Sequence, residues 1–300
     1  MPGDDGERGL NRSHWKVMPS EEAQRRQRPG GAARGGFETP TLQGERLIMS
    51  VKIQPMVCGW LEVAAAGILA KEPGRFKLPI PSYLIEHPKG RAIFDTGLHR
   101  ELQRDSSRIG PLAKSFTVHF QAGEELAARL TARGVDPTRI DYMINSHLHF
   151  DHVGGNADLP NAKLVVQRRE WEAAADPDQI RRNGYNRADF DLGHQIQLID
   201  GEHDLFGDGS VVCIPTYGHT AGHQSLRVRT DSGEFVMTAD SCYMRKVLEE
   251  MVLPPFAFSY DDMRKVIERY RKMERAGARL IFGHDPAQWN ADGSLAVPLA

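Results

Sequence analysis

The run HLHFDH at residues 147–152 places three histidines and one aspartate within six positions. Such side chains are costly to bury unless they are hydrogen-bonded or bind an ion. Neutral imidazole and carboxylate together form the ligand set of zinc and neighbouring divalent ions. The run therefore predicts a metal site, with four candidate ligands: His147, His149, Asp151 and His152.

Three further candidate ligands lie at the ends of predicted strands: His219 after 210–216, Asp240 at the end of 234–240, and His284 after 279–283. Loops that leave one edge of a sheet can converge on a common site. Taken singly, Gly218-His219 is also typical of a turn, and Asp240 is also typical of a helix N-cap. Their occurrence together with HLHFDH favours the metal interpretation.

The candidate ligands are five histidines and two aspartates, more than the four that a tetrahedral zinc ion binds. Two ions with three terminal ligands each and one shared carboxylate would use all seven. A pair of metal ions generates hydroxide near neutral pH and polarises a carbonyl or phosphoryl oxygen. The residues therefore predict a hydrolase. The alternative from another class of function is a metal-binding scaffold without catalytic activity.

The rest of the chain alternates strand-like and helix-like segments, which predicts a single α/β domain. An apolar run begins at residue 49, and further strands are predicted at 83–87, 91–95, 139–145, 163–167, 210–216, 234–240 and 279–283. Helices are predicted within 123–134 and 259–277, with Ser259 as the N-cap of the second. The apolar face of that helix carries Met263, Val266, Ile267 and Tyr270.

The composition of the chain indicates which classes of binding partner and which cellular location to expect. Lys and Arg total 38 against 40 for Asp and Glu, a formal net charge of -2, which does not favour nucleic acid or an anionic membrane. The three cysteines do not support a disulfide framework, and the N-terminus lacks a signal-peptide core. No run approaches the ~20 apolar residues of a membrane span. A cytoplasmic location is the default expectation.

Residues 1–48 are rich in glycine, proline and charge and show no apolar period. Such a segment cannot bury enough surface to offset its ordering entropy. We predict that it is disordered or is a mis-annotated extension, with Met49 as the biological start. The alternative is a functional tail. The hydrolase domain is expected to span residues 49–300.

The combined motifs resemble the metallo-β-lactamase superfamily. They are HLHFDH at 147–152, GHTAGH at 218–223, TAD at 238–240, GH at 283–284 and FDTG at 94–97. The resemblance implies an αββα sandwich of two mixed β-sheets flanked by helices. It implies His147, His149 and His219 on one metal, Asp151, His152 and His284 on the other, and Asp240 bridging them. Asp95 and His223 would support these ligands from behind.

Within the superfamily, HLHFDHVGG, GHTAGHQSL, ADSCY and FGHD resemble the N-acyl-homoserine lactonases, which carry out quorum quenching. That branch has a tyrosine three residues beyond the bridging aspartate, and Tyr243 holds this place. Its hydroxyl would stabilise the oxyanion formed when a metal-bridging hydroxide attacks the lactone carbonyl. Asp151 would pass the proton to the departing alkoxide. The other interpretation of Tyr243 is a core aromatic residue with its hydroxyl bound to backbone.

The resemblance also leads to expectations about cofactors, acyl-chain contacts and substrates. The cofactors are two divalent ions per chain, with zinc favoured, although a His/Asp set also accepts iron, cobalt or manganese. The acyl chain would contact apolar residues, which are equally typical of a core: Phe150, Trp60, Leu61, Ile68 and Leu69. Alternative substrates are another lactone such as 4-pyridoxolactone, a thioester or a β-lactam. A homodimer is left open.

Overall fold

The structure is a computed structural model that describes residues 50–296 and 299. The prediction for residues 1–48 lies outside the described residues. The strands are β1 Lys52–Ala64, β2 Arg75–His87, β3 Gly90–Phe94, β4 Phe116–His119, β5 Tyr142–Ile144, β6 Lys163–Gln167, β7 Ile196–Ile199, β8 His203–Asp204, β9 Val211–Pro215, β10 Gln224–Thr230, β11 Gly233–Met237 and β12 Arg279–Ile281. The helices are α1 Leu126–Thr131, α2 Phe150–Val153, α3 Arg168–Ala173, α4 Pro177–Asn183, α5 Arg187–Phe190, α6 Arg245–Glu250 and α7 Tyr260–Arg275.

Short 3-10 turns complete the described elements: Ala65–Gly67, Arg100–Gln103, Ser106–Lys114, Pro137–Arg139, Asn156–Asp158, Ala239–Ser241 and Pro286–Gln288. No helix in the described part of the chain is long and apolar enough to cross a membrane.

The strands form two mixed sheets. The first has the order β4-β1-β2-β3-β5-β6-β7 and the second the order β12-β11-β10-β9-β8. In the first sheet β1 to β4 pair antiparallel, whereas β3, β5, β6 and β7 pair parallel. In the second only β11 and β12 are parallel. This arrangement confirms the predicted mixed sheets.

Alternating side chains divide the core into layers, because successive residues of a strand point to opposite faces. In β9, Val211 and Cys213 face the core between the sheets, while Val212 and Ile214 face α6 and α7. In the first sheet, Val165 faces the inter-sheet core and its neighbours Leu164 and Val166 lie in a separate cluster with α1. Two sheets packed face to face with helices outside are the predicted αββα sandwich.

Helix α7 shows how the sequence determines an outer layer. The Ser259 side chain accepts a hydrogen bond from the Asp262 backbone N–H, which confirms the predicted N-cap. The four residues predicted for its apolar face are all buried: Met263, Val266, Ile267 and Tyr270. Burying one such side chain contributes about 1.5–3 kcal/mol. The helix is therefore fixed against the second sheet.

The two layers bring the ends of several strands to one edge of the sandwich. Strands β11 and β12 run parallel, with Met237 opposite Ile281. Asp240 and His284 each follow three residues later, so they leave the second sheet side by side. On the first sheet, His147 follows β5 at the same interval, and Asp95 comes directly after β3. The predicted convergence of loops is therefore present.

Candidate metal centre

Glycines in the ligand-bearing loops allow close backbone approaches. Gly218 has φ +134°, and a Cβ there would lie 2.6 Å from the Met263 backbone nitrogen. A Cβ on Gly283 would lie 2.4 Å from the Ala239 carbonyl oxygen. Real Cβ atoms do not tolerate such distances, so any larger residue would displace a loop. These glycines set the positions of the ligands that follow or face them, His219, His284 and Asp240.

The first group of candidate ligands is a triangle of imidazoles. The Nδ1 atom of His149 lies 2.9 Å from Nε2 of His147 and 3.1 Å from Nε2 of His219. One ring nitrogen carries at most one proton, so it cannot donate to both neighbours. Three ring nitrogens that face one another in this way are arranged as ligands of a common cation. Ligand atoms of these three residues and Asp240 all lie within 4.8 Å of one another.

The second group combines a carboxylate with two imidazoles. Oδ2 of Asp151 lies 3.6 Å from Nε2 of His152 and 3.7 Å from Nε2 of His284. All three side chains are nearly buried, and Asp151 is the most exposed, at 12%. The triad is a second set of ligand atoms within 4.8 Å of one another.

Asp240 lies between the two groups and turns one oxygen toward each. Its Oδ2 lies 3.4 Å from Nε2 of His219 and 3.7 Å from Nε2 of His147. Its Oδ1 lies 2.8 Å from Nε2 of His284 and 3.1 Å from Nε2 of His152. A carboxylate that faces two ligand sets is suited to bridging two ions.

Unsatisfied polar atoms show that the site fits positive charge. Asp240 Oδ1 and His152 Nε2 are buried and lie 3.1 Å apart, yet neither makes a hydrogen bond of acceptable geometry. Leaving a buried polar atom unpaired costs about 1–3 kcal/mol, and more for a charged one. A divalent ion would satisfy both atoms, since each is a lone-pair donor of the kind that zinc binds.

The pKa shifts follow from burial and from the central carboxylate. Burial lowers the pKa of His149 to about 4 and lowers the pKa of His147 and His219 well below the usual range. These three rings are therefore neutral, the form that binds metal. Burial also opposes the charged form of His152, but the carboxylates of Asp240, Asp151 and Asp95 together outweigh it and raise the pKa. The carboxylates thus attract a cation.

Contacts behind the ligands fix the direction of their rings. Asp95 Oδ2 lies 2.8 Å from His152 Nδ1 and accepts a 2.8 Å hydrogen bond from the Ser146 hydroxyl. The Pro79 carbonyl lies 2.9 Å from Nδ1 of His284. In both cases Nδ1 faces an acceptor and Nε2 points into the site. Carboxylates and carbonyls orient ligand imidazoles in this way in metal centres. Asp95 thus contacts the ring of a candidate ligand from behind.

His223 belongs to neither ligand group. Its Nδ1 lies 2.9 Å from the Thr216 hydroxyl, and its ring centre lies 5.1 Å from that of His147. The ring therefore packs behind a ligand.

Tyr243 contacts one candidate ligand of each group. Its hydroxyl oxygen lies 3.4 Å from Nδ1 of His219, and its ring stacks on His284 at 5.7 Å. Burial, together with the Asp240 carboxylate, raises its pKa well above the usual value. The phenol stays protonated and is a hydrogen-bond donor. The alternative interpretation was a core tyrosine whose hydroxyl is bound to backbone. None of the described hydrogen bonds joins this hydroxyl to backbone.

The five apolar residues predicted to contact an acyl chain do not form one group. Leu61 and Phe150 share a cluster, Ile68 and Leu69 lie in the cluster with α7, and Trp60 packs against the inter-sheet core. Four of the five are less than 9% exposed and present little surface to a ligand.

Two residues beside the site were missed by sequence reasoning. Glu170 is fully buried and accepts hydrogen bonds from both ligand-bearing loops. Phe256 is 48% exposed, with its ring centre 5.8 Å from that of His219. Neither stands in a metal-ligand motif. In the charged run RREWEA, Glu170 resembles a solvated helix position.

Comparison with known proteins identifies the fold family. The model of the metallo-beta-lactamase superfamily matches residues 75–284. The chain belongs to this superfamily, which confirms the resemblance drawn from its motifs.

The chain is also similar to two curated lactonases. The chain is 37% identical over 222 residues to the N-acyl homoserine lactonase AttM of Azorhizobium caulinodans, covering 71% of this chain and 84% of that protein. It is 31% identical over 225 residues to the N-acyl homoserine lactonase AiiA of Bacillus thuringiensis subsp. kurstaki, covering 73% and 86%.

The chain is also similar to solved structures. An N-acyl homoserine lactone hydrolase with N-hexanoyl-L-homoserine bound at its catalytic metal center matches with a TM-score of 0.72 and 27% identity. The match covers 80% of this chain and 96% of that one. It confirms the predicted fold.

Proposed function

We propose that this protein is a metal-dependent hydrolase that opens the lactone ring of N-acyl-homoserine lactones. The observation that carries the proposal is the pair of ligand groups joined by Asp240, which places one carboxylate oxygen toward each group. The similarity to curated lactonases supports the choice of substrate.

The donor set supports one assignment of the ligands. We propose His147, His149 and His219 for one ion, Asp151, His152 and His284 for the other, and Asp240 for both, as in the two groups of the structure. When bound, two such ions supply a hydroxide near neutral pH and polarise the carbonyl oxygen of the substrate. Zinc suits a set of imidazoles and carboxylates and is our choice of metal.

Tyr243 is proposed as the hydrogen-bond donor to the carbonyl oxygen. Nε2 of His219 faces Asp240, so Nδ1 carries the ring proton and points at the tyrosine oxygen. With its oxygen accepting from His219, the phenol keeps its own hydrogen as a donor, which it would shift from Asp240 to the substrate carbonyl. A donor held beside the reacting carbonyl is worth most when negative charge develops there.

Asp151 is proposed to move the proton that ring opening requires. Cleavage of the lactone C–O bond leaves an alkoxide, which takes up one proton to give the alcohol of an acyl-homoserine. Asp151 is the most exposed of the second group, so its carboxylate is the most accessible of the three to an entering substrate. The proton comes from the hydroxide oxygen once it has added to the carbonyl carbon; Asp151 would accept it and deliver it to the alkoxide, which leaves a carboxylate and an alcohol.

Phe256 is our candidate contact for the acyl chain. It is nearly half exposed beside the His219 ring, and the Phe258 backbone N–H donates a 3.1 Å hydrogen bond to the His219 carbonyl. The segment is thus fixed to a ligand-bearing loop with an aromatic ring at the mouth of the site. Each methylene that it covers would contribute about 0.8 kcal/mol. We expect a graded preference for longer chains, and we keep the five originally predicted residues as weaker candidates.

A single panel of substrates tests the proposal. Initial rates are measured in one buffer for homoserine lactones with short and long acyl chains, a simple γ-lactone, 4-pyridoxolactone and nitrocefin. We expect several acyl lengths to be opened and nitrocefin to be cut poorly. A wide advantage for 4-pyridoxolactone or nitrocefin would refute the substrate assignment and leave the two-metal hydrolase. Action in the cytoplasm stays a prediction.

A further inference from the structure

Glu170 is a buried carboxylate that the proposed reaction does not use. Its Oε2 accepts hydrogen bonds from the Thr220 hydroxyl at 2.7 Å and the Gly222 backbone N–H at 2.8 Å. Its Oε1 accepts from the Tyr185 hydroxyl at 2.9 Å and the Leu148 backbone N–H at 3.2 Å. Each oxygen therefore receives one backbone N–H, a group that can only donate. The arrangement is satisfied by the ionised form of the side chain.

Three of the four partners of Glu170 belong to the loops that carry the triangle of imidazoles, and the fourth, Tyr185, packs on one of those rings. Leu148 stands between His147 and His149, and Thr220 follows His219 directly. The Tyr185 ring packs on His149, with ring centres 5.6 Å apart. One carboxylate thus joins the two loops that carry all three rings and the tyrosine that packs on one of them.

Close packing keeps this junction rigid. A Cβ on Gly222 would lie 2.2 Å from the Glu170 backbone nitrogen, so α3 rests directly on the second loop. Glu170 itself is fully buried. A buried charge is tolerated when its hydrogen-bonding capacity is filled, and removing that charge disturbs every group bound to it.

The second ligand group has different supports. Asp95 lies behind His152, and the Pro79 carbonyl lies behind His284. None of the hydrogen bonds described for Glu170 reaches Asp151, His152 or His284. Glu170 therefore supports the first group alone, whereas the Ser146 hydroxyl reaches both groups, 2.8 Å from Asp95 Oδ2 and 2.9 Å from His147 Nδ1.

We propose that Glu170 is a positioning residue that sets the affinity of one of the two metal ions, the one held by His147, His149 and His219. This inference rests on the two-metal site of the proposed function. Metal affinity is its readout, so it does not depend on which substrate the site takes.

The test replaces Glu170 with glutamine and measures metal binding in full-length protein. In Glu170→Gln one oxygen becomes an NH2 group, which cannot accept the N–H of Leu148 or Gly222. Metal-free protein is titrated with Zn2+ against a chromophoric chelator. We expect one of the two binding steps to weaken about 10- to 100-fold, the usual effect of losing a supporting carboxylate. The other step should change by less than about threefold.

A Co2+ titration assigns the weakened step, because a site of three imidazoles absorbs differently from one with a carboxylate. The matched control is Asp189→Asn, a buried carboxylate that pairs with Arg108 and has no described hydrogen bond to a candidate ligand. It should lower thermal stability while leaving both steps unchanged. Tyr185→Phe, which removes a single donor to Glu170, should weaken the same step by a smaller factor.

Several outcomes would overturn the inference. Unchanged binding in Glu170→Gln, equal weakening of both steps, or the same loss in Asp189→Asn would each show that Glu170 acts only on general stability. If Glu170→Gln does not fold, an unaffected Tyr185→Phe would refute the inference in its place. Fewer than two ions in the unsubstituted protein would refute the two-metal site and this inference together.

Discussion

Removing the Tyr243 hydroxyl should separate its role in catalysis from its role in packing. The side chain is only 2% exposed, so phenylalanine can occupy the same space. The described hydrogen bond that is lost is long, 3.4 Å to His219 Nδ1. A hydrogen bond of good geometry contributes about 0.5–1.5 kcal/mol, and this one should contribute less. Loss of one oxyanion donor lowers kcat about 10- to 1000-fold, or ~1.4–4 kcal/mol.

Tyr243→Phe is assayed with N-hexanoyl-homoserine lactone, and metal content and thermal stability are measured on the same preparation. We expect both ions retained, nearly unchanged stability and the stated loss in kcat. Tyr270→Phe is the matched control, because that buried hydroxyl bonds Ser225 at 2.6 Å and Ser241 at 2.5 Å. It should lower stability and leave kcat unchanged. A kcat for Tyr243→Phe within about twofold of the parent would refute the donor role.

Three further predictions follow from packing, exposure and composition. Gly283→Ala should lose metal and activity together, because its Cβ would lie 2.4 Å from the Ala239 carbonyl beside Asp240; metal analysis showing full occupancy would contradict this. Phe256→Ala should reduce kcat/KM for decanoyl- more than for butanoyl-homoserine lactone, and an equal reduction for both would remove Phe256 from the acyl site. A chain that starts at Met49 should express in soluble form and turn over like the full chain, whereas lost activity would show that residues 1–48 contribute to the fold.

Periodicity located eight of the twelve described strands and the helices α1 and α7, although not their exact ends, and it missed the inner strand β10 and the helices α2 to α6. The strand predicted at 163–167 is β6 without change, whereas the one predicted at 234–240 ends at Met237. The cause lies in Ala239, whose φ of +46° turns the backbone into a 3-10 turn and places Asp240 in a loop. Apolar alternation cannot show such a conformation, since it depends on the parallel strand that packs beside it.

Short edge elements could not be predicted. Strand β4, at 116–119, is held by its pairing with β1, which lies more than fifty residues earlier in the chain. Strand β8 has only two residues and pairs with β9. Segments this short depend on the sheet that they join, so their own sequence carries little signal.

The candidate ligands were predictable because they are dense and chemically distinctive, while their supports were not. HLHFDH is hard to explain without an ion. Glu170 is an ordinary residue in a charged run, and only the fold brings it to Leu148 and Thr220. The predicted acyl residues failed to form one surface for the same reason. Leu61 and Leu69 are apolar, but the fold places them in different clusters, away from solvent.

The most direct measurement for the account is activity as a function of added metal. Metal-free protein is titrated with zinc, and opening of N-hexanoyl-homoserine lactone is followed at each step. Because Asp240 faces both ligand groups, we predict that activity rises until two equivalents per chain are bound and that Asp240→Ala loses metal and turnover together. Full activity at one equivalent, or two ions bound with no lactone opened, would contradict a two-metal lactonase.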